Sequence, residues 1–284
     1  MARTDDNLGS HDSRHGESAP LTNPAFWDSR WYSTALPVVA ARGGTRLGDE
    51  LLNTLDICFS GMRGAQVLEI GGAPGGYLAY LAETHGLQAT AIDYSPTGCL
   101  KLRENFRMLE LDVTVHQLDV FDADATSSEY DAVYSLGFVE HFAHVQQALD
   151  AHIRLVRPGG LVVIGAPYMA GPYGLALTML GPDVLKTHNP RGTRLDVWDA
   201  HLAARGLRKE AAWRLGGLSL GAISGALQGV SLRGARLQGR RGVEFAARMQ
   251  NAAYRAGMRS PLRAGSRRIL VPGWEAYSLV AYRR

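Results

Sequence analysis

Cysteine and lysine are both scarce in this chain of 284 residues. The 2 cysteines, Cys58 and Cys99, exclude a disulfide framework and a four-cysteine zinc site. A reduced, cytoplasmic setting is therefore expected, with both cysteines as packing residues. Lysine occurs only at Lys101, Lys186 and Lys209, so no lysine precedes residue 101.

Long apolar runs are also missing. Residues 158–182 and 215–232 carry no charge, but proline and glycine break the first, and glycine, serine and glutamine dilute the second. A membrane span needs about 20 strongly apolar residues, so neither stretch predicts one. The first twenty residues hold four acids and no apolar run, which excludes a secretory signal. We expect residues 1–22 to be a flexible tail and residues 23–284 to form a single domain.

Charge is distributed unevenly, although the net charge is only +3. From residue 203 to the end there are 16 basic and 3 acidic residues, most of the arginines lying between positions 233 and 268. A solvated helical face is the favoured interpretation. A nucleic-acid surface, an anionic substrate and pairing with the acidic first half in a homodimer remain alternatives.

Short apolar segments alternate with helical patterns from residue 47 to residue 165. Strands are predicted at 67–70, 89–92, 113–118, 130–135, 161–165, 208–215 and 274–282, and helices at 47–58, 75–85, 96–108, 145–156 and 196–205. Residues 157–160 (Arg-Pro-Gly-Gly) are expected to form a turn. Parallel strands need crossovers, which the helices supply. The alternation therefore predicts an α/β fold with a doubly wound, mostly parallel sheet.

Three less regular regions, 23–44, 168–195 and 216–268, are predicted to form a helical and irregular cap on the acceptor side. The last includes glycines at every fourth position from 217 to 229, which suit close helix packing, a dimer contact or a mobile lid. Aromatic and polar residues of the first two could line an apolar pocket, or simply form the cap's own core. These candidates are Trp27, Trp31, Tyr32, Tyr168, Tyr173 and Asn189.

A glycine loop is the strongest local signal. Residues 69–76 read Glu-Ile-Gly-Gly-Ala-Pro-Gly-Gly and lie between a predicted strand and a predicted helix. Glycine lets the backbone turn sharply and approach a ligand closely. Asp93 ends the next strand, where a carboxylate can accept both ribose hydroxyls. Asp119 ends the third strand, where it can accept from an adenine amino group. The combination predicts a nucleoside pocket.

On these residues the chain resembles the class I S-adenosylmethionine-dependent methyltransferases, in the group that modifies small molecules. The resemblance covers residues 45–166 well and the terminal strand more loosely. It implies a seven-stranded Rossmann-like sheet of order 3-2-1-4-5-7-6, with S-adenosylmethionine as cofactor and S-adenosylhomocysteine as product. One departure is Ala73, which stands where the family motif has its second glycine. A dehydrogenase is the main rival, because Gly71, Ala73 and Gly76 also mimic a dinucleotide fingerprint.

The resemblance also implies roles for individual residues. Gly71 and Gly75 would line the methionine and ribose, and Glu69 would orient the loop. Asp93 would bind the ribose, while Tyr94, Asp119 and the backbone of Val120 would contact the adenine. Gly72, Ala73 and Ser135 complete the cofactor-binding set implied in this way.

Two histidines are candidates for the chemistry. An acceptor hydroxyl or ammonium must lose a proton, and histidine is the usual base near neutral pH. Glu140 and His141 follow the fourth strand, beside the crevice where ligands collect in such sheets. His188 could reach the acceptor from the cap. No third metal ligand lies near Glu140 and His141 at a diagnostic spacing, so no metal is predicted.

Three function classes follow from these signals. A small-molecule methyltransferase, acting on oxygen or alternatively nitrogen of a biosynthetic intermediate, is the favoured one. An RNA methyltransferase is the second, although the ribose 2′-O class needs a lysine before the glycine loop. A non-catalytic S-adenosylmethionine-binding protein is the third.

Overall fold

A computed structural model describes residues 20–125, 129–169, 182–216 and 276–284, together with isolated positions between 171 and 179 and residues 244, 248 and 251. The predicted tail lies outside the described residues up to residue 19. Tyr173 and nearly all of residues 216–268 also lie outside the described residues. The second range includes the glycine series and all but one arginine of positions 233–268.

Seven strands form one sheet with the order β3-β2-β1-β4-β5-β7-β6. Its strands are β1 (Gln66–Ile70), β2 (Gln88–Asp93), β3 (Thr114–Gln117), β4 (Tyr130–Leu136), β5 (Val156–Pro167), β6 (Arg208–Leu215) and β7 (Tyr277–Arg283). The first five strands are parallel, and β7 runs antiparallel to both β5 and β6. The strand order and the mostly parallel character confirm the predicted fold class.

In the described part of the chain, six helices with defined bounds accompany the sheet: α1 (Pro24–Tyr32), α2 (Arg46–Phe59), α3 (Gly76–His85), α4 (Pro96–Met108), α5 (Val145–Leu155) and α6 (Leu195–Ala204). Short 3-10 helices occupy Val120–Ala125, Val139–His141, Pro182–Lys186 and Pro190–Thr193. Helices α2, α3 and α4 pack on one face of the sheet, and α5 and α6 on the other. Both faces are thus covered, which is why the central strands read as continuous apolar runs.

The start of helix α4 follows the sequence prediction. The Ser95 hydroxyl accepts a hydrogen bond from the Gly98 amide at 2.8 Å, and Pro96 occupies the first helical position. The sequence pattern also favours Asp196 as the N-cap of α6, and this prediction was wrong. Arg194 is the N-cap, and Asp196 lies in the first turn, paired with the Arg194 side chain. A carboxylate is favourable anywhere in a first turn, so its presence did not fix the boundary.

The predicted turn at residues 157–160 is part of β5, in a local irregularity of the sheet. Tyr130 pairs with Val156 and Ala132 pairs with Leu161, so β5 carries extra residues over this interval. Gly159 has φ of +74°, a conformation that glycine adopts without strain. The glycines allow the strand to bulge and then rejoin β4 in register.

Candidate functional site

A pocket lies at the carboxyl edge of the sheet, where β1, β2, β3 and β4 end. It encloses about 760 Å³ of space, including the part open to solvent. Its wall is formed by strand ends, the loops that follow them, helix α1 and residues just before α1. The lining residues are Pro20, Thr22, Trp27, Trp31, Ile70, Gly71, Ala73, Ile92, Asp93, Tyr94, Leu118, Asp119, Val120, Leu136, Gly137, Phe138, His141 and Phe142.

Gly71 and Gly75 adopt backbone conformations that favour glycine, with φ of +68° and +87°. A Cβ added at Gly71 would lie 2.8 Å from Cδ2 of Phe138, and one at Gly75 would lie 2.9 Å from Cε2 of Phe106. Both glycines are therefore required for this loop shape. Gly71 lines the pocket directly, whereas Gly75 is the N-cap residue of helix α3.

The alanine that departs from the family motif is accommodated by another glycine. A Cβ added at Gly98 would lie 3.0 Å from the Ala73 methyl group, so the missing side chain at Gly98 leaves room for that methyl. Ala73 lines the pocket, and its amide donates to Oδ2 of Asp93 at 3.2 Å. Because this contact uses the backbone amide, alanine at position 73 is compatible with it.

Glu69 lies beneath the loop and outside the pocket wall. A Cβ added at Gly72 would lie 2.9 Å from Oε2 of Glu69, which places the carboxyl group directly under that glycine. Glu69 is 5% exposed, and burial raises its pKa to about 8. The position fits the implied role of supporting the loop.

The two acids at the strand ends face the same pocket. The Ser95 amide donates to Oδ1 of Asp93 at 2.9 Å, so with the Ala73 contact each carboxylate oxygen accepts one backbone hydrogen bond. Burial raises the pKa of Asp93 to about 6 despite those bonds. The Asp119 carboxylate accepts from the Phe121 amide at 3.0 Å. The fold thus brings the predicted ribose and adenine residues, including Tyr94 and Val120, to one wall.

Helix α1 and the residues before it form the roof. The Trp27 and Trp31 rings stack with centroids 5.7 Å apart, and Trp27 meets the His141 ring edge-on at 5.0 Å. Thr22 accepts from the Trp27 indole at 3.0 Å and lies 3.4 Å from the Tyr94 hydroxyl. Pro20 forms a β-bridge with Phe142. Pro20 and Thr22, near the end of the predicted tail, therefore belong to the pocket wall.

His141 lines one corner of the pocket, and Glu140 and His188 lie beside it outside the pocket wall. His141 is 6% exposed, and Nδ1 lies 2.6 Å from the Thr187 carbonyl oxygen. The His188 ring centroid is 4.6 Å from that of His141. Burial, with His188 beside it, lowers the pKa of His141 to about 3, so its imidazole is neutral. Burial raises the pKa of Glu140 to about 8.

Several predicted site residues lie away from the pocket. Ser135 is fully buried and bonds to Nε2 of His152 at 2.9 Å, so it belongs to the core. Tyr32 is 81% exposed. Tyr168 stacks under the Arg214 guanidinium, 4.1 Å from its ring centre. Asn189 donates to the carbonyls of Phe142 and Ala143 and so fastens the cap to the sheet.

The sequence prediction missed other lining residues. Thr22 was assigned to the tail, because nothing in a short polar segment signals a distant contact with Tyr94. Phe138 was also missed, although the glycine before it marks a turn after β4. Apolar strand ends such as Ile70 look like core residues in any pattern.

The doubly wound sheet and its acid-lined pocket define a nucleoside-binding α/β protein. Residues 67–160 match a family described as a methyltransferase domain. Residues 67–160 are thus a methyltransferase domain of the class I S-adenosylmethionine-dependent type, and S-adenosylmethionine is the cofactor of that class. The family resemblance and the cofactor drawn from the sequence motifs are confirmed.

The individual relatives are only moderately similar to this chain in sequence. A ubiquinone biosynthesis O-methyltransferase from Alkalilimnicola ehrlichii is 30% identical over 164 residues, which is 53% of this chain and 66% of the relative. A similar enzyme from Xanthomonas oryzae is 30% identical, and the chain spans 55% of its length. The chain thus spans only part of the curated relatives it matches.

Solved structures share the fold. An S-adenosylmethionine-dependent methyltransferase from Geobacter sulfurreducens, in complex with S-adenosylhomocysteine, superimposes with a TM-score of 0.56 at 18% identity, covering 93% of this chain and 100% of that one. An N-methyltransferase from Bradyrhizobium japonicum gives 0.54 at 13% identity, covering 93% and 99%.

Proposed function

We propose that this protein transfers a methyl group from S-adenosylmethionine to an oxygen atom of a small molecule. The observation that carries the proposal is the pocket in which the glycine loop, Asp93 and Asp119 lie on one side and His141 on the other. The relationship to O-methyltransferases supports oxygen over nitrogen as the acceptor atom.

The pocket residues fit the donor. Bound S-adenosylmethionine would supply an electrophilic methyl group on a sulfonium sulfur. The space beside Gly71 would be filled by any Cβ, which suits close approach of a ligand to the backbone. The Asp93 carboxylate retains acceptor capacity for the ribose hydroxyls, since each oxygen uses one of its two lone-pair sites on a backbone amide. Asp119 and Val120 lie where the adenine would contact them.

The acceptor would enter from the histidine corner. His141 lines the pocket, and the hydrogen bond of Nδ1 to the Thr187 carbonyl leaves Nε2 as the nitrogen that carries the lone pair. The Trp27 and Trp31 rings offer apolar faces to a hydrophobic or aromatic acceptor. Alignment of acceptor and methyl group by these walls would account for much of the rate.

The acceptor class follows from the same walls. A small hydroxylated aromatic molecule matches the tryptophan roof and the polar corner.

Among the described residues no helix has the length and apolar content of a membrane span. We further propose that residues 23–284 act as one domain, with the segments of 23–44 and 168–195 closing over the acceptor.

The test has two stages. S-Adenosylhomocysteine should bind in calorimetry and raise the melting temperature, while NADH should do neither. Methyl transfer from isotopically labelled S-adenosylmethionine should then be measured with phenols and catechols, with amines and with RNA. Transfer to the hydroxylated aromatics supports the proposal. Binding of S-adenosylhomocysteine without transfer to any acceptor would indicate a non-catalytic binding protein, and binding of NADH alone would overturn the donor site.

A further inference from the structure

Three side chains with metal-binding atoms converge behind the acceptor side of the pocket. A carboxylate oxygen of Glu140 and a ring nitrogen of each of His141 and His188 all lie within 4.8 Å of one another. Oε1 of Glu140 is 3.8 Å from Nε2 of His141. Two of the three follow β4, and the third comes from the cap segment before α6. This distance in sequence explains why ligand spacing predicted no metal.

An orphaned atom lies within this cluster. Oε2 of Glu140 is buried in a side chain that is only 1% exposed in total, and it has no hydrogen-bond partner among the described residues. Buried carboxylate oxygens are almost always paired, because leaving one without a partner is costly. An ion bound by the cluster would provide the missing partner.

The surrounding hydrogen bonds orient both imidazoles. The 2.6 Å contact of His141 Nδ1 with the Thr187 carbonyl makes Nδ1 the protonated nitrogen. The lone pair is then on Nε2, the nitrogen on the side of Glu140. His188 Nδ1 lies 2.9 Å from the Thr187 hydroxyl. Metal-binding histidines commonly use their second nitrogen in this way, which fixes the ring and its tautomer.

The backbone holds the two segments together. The Asn189 amide donates to the Glu140 carbonyl at 2.7 Å, and the Asn189 side chain donates to the Phe142 carbonyl at 3.0 Å. The cap segment that carries His188 is therefore fastened beside Glu140 and His141 within the protein itself. A site of this kind is arranged before any ion binds.

We propose that Glu140, His141 and His188 bind one divalent transition-metal ion, with Zn²⁺ the best fit. Two imidazoles and one carboxylate suit Zn²⁺ better than Mg²⁺ or Ca²⁺, which prefer oxygen ligands. Three protein ligands leave a fourth position open, as in catalytic zinc sites. His141 also lines the pocket, so an ion held by these residues would lie beside the space for the acceptor.

The role of the ion in catalysis rests on the proposed function, whereas its binding does not. A cation at this corner lowers the pKa of an acceptor hydroxyl that contacts it. The proton leaves to solvent, the acceptor oxygen forms a bond to the methyl carbon, and the bond between that carbon and the sulfonium sulfur breaks. His141 then acts as a ligand and not as the base.

The binding test uses Co²⁺ as a spectroscopic substitute for Zn²⁺. Full-length protein treated with EDTA and desalted is titrated with Co²⁺ and followed by visible absorption, and Zn²⁺ binding is measured by calorimetry. One equivalent should bind, and Zn²⁺ should displace the Co²⁺ bands. His188→Gln and Glu140→Gln should each weaken binding by at least about tenfold. His144→Gln, at an exposed histidine near the cluster, should change nothing.

The outcomes separate the two proposals. No saturable Co²⁺ spectrum, or equal binding by wild type and His188→Gln, overturns the metal site. S-Adenosylhomocysteine binding by each variant serves as the check that the protein is folded. An intact Co²⁺ spectrum with no methyl transfer to any acceptor overturns the proposed function but leaves the metal site standing. Transfer that EDTA abolishes and Zn²⁺ restores supports both.

Discussion

The donor side of the pocket and its acceptor side are built differently. The donor side uses residues that directly follow strands β1, β2 and β3, and the Asp93 carboxylate is bonded to amides of its own and the adjacent loop. The acceptor side depends on contacts between distant segments, such as Thr22 with Tyr94 and Thr187 with His141. Among the described residues, each side has a glutamate with an unpartnered buried oxygen, Glu69 beneath the donor loop and Glu140 on the acceptor side. The donor side is therefore set mainly by the ends of adjacent strands, whereas the acceptor side is set by packing between segments far apart in the chain.

The largest expected effect is on the donor side. Asp93→Asn removes the charged acceptor for the ribose hydroxyls, and hydrogen bonds to charged groups contribute about 1.5–3 kcal/mol each. S-Adenosylhomocysteine affinity should fall by about a hundredfold, or about 2.7 kcal/mol, in calorimetry. Asp112→Asn, at an exposed acid before β3, is the control and should bind normally. Unchanged affinity in the Asp93 variant would show that this carboxylate does not bind the ribose.

A second effect comes from the loop glycine. Gly71→Ala places a Cβ against Phe138 and strains a backbone with φ of +68°. Gly61 has φ of +77° but open space around the added Cβ, so Gly61→Ala is a matched control for strain alone. In urea titrations Gly61→Ala should lose about 1–2 kcal/mol of unfolding free energy from strain alone, and Gly71→Ala should lose more because its Cβ also meets Phe138. Only Gly71→Ala should also weaken S-adenosylhomocysteine binding, by about tenfold or more; equal affinities would show that the close approach is not used.

The buried Glu69 should make stability fall with rising pH. Its folded pKa of about 8 exceeds the ordinary value of 4.5, so the folded protein binds more protons than the unfolded chain between those values. The contribution of Glu69 to the unfolding free energy is therefore greatest below pH 4.5 and declines up to about pH 8. Glu69→Gln removes that decline. The unfolding free energy of the variant, relative to that of wild type, should therefore be about 1–3 kcal/mol higher at pH 8 than at pH 5.

Urea titrations of wild type and variant at the two pH values measure this difference. Glu83→Gln, at an exposed glutamate on α3, should follow the wild type. Parallel pH dependence in wild type and Glu69→Gln would show that the carboxyl group is not held in a desolvated site.

The smallest expected effect concerns the link between the two sides. Asp28 on α1 accepts from the Ser95 hydroxyl at 2.6 Å and from the Thr97 amide at 3.0 Å, which joins the roof to the loop after Asp93. Asp28→Asn should weaken S-adenosylhomocysteine binding by about threefold, since one charge-assisted contact at a helix start contributes about 1 kcal/mol or less. Asp196→Asn, in the first turn of α6, is the control. A larger loss than that of Asp93→Asn would mean that the roof governs donor binding.

Much of the fold followed from local patterns. The alternation of apolar runs with helical segments predicted every strand and helices α2 to α6, because strands buried on both faces and amphipathic helices have distinct periodicities. Helix α1 was expected only as part of a cap region. The helix has no buried residue to mark a core-facing stripe, and its position depends on Asp28 and on packing against α4.

Within the site, the glycine loop, Asp93, Tyr94, Asp119 and Val120 could be placed on one wall from the sequence. Parallel strands end at one edge of a sheet, so residues at successive strand ends must meet there. Ser135, by contrast, was predicted to bind the cofactor but lies in the core. Side chains alternate across a strand, and a residue near a strand end can face the core instead of the pocket.

The sequence by itself determined the sheet, the loop that approaches the donor and the acids that flank it, since each depends on residues close together in the chain. Only the tertiary structure decided which residues complete the acceptor side. Thr22, His188 and Asn189 reach it through contacts between segments far apart in sequence. No local pattern encodes such contacts, because they form only when the packed sheet brings the segments together.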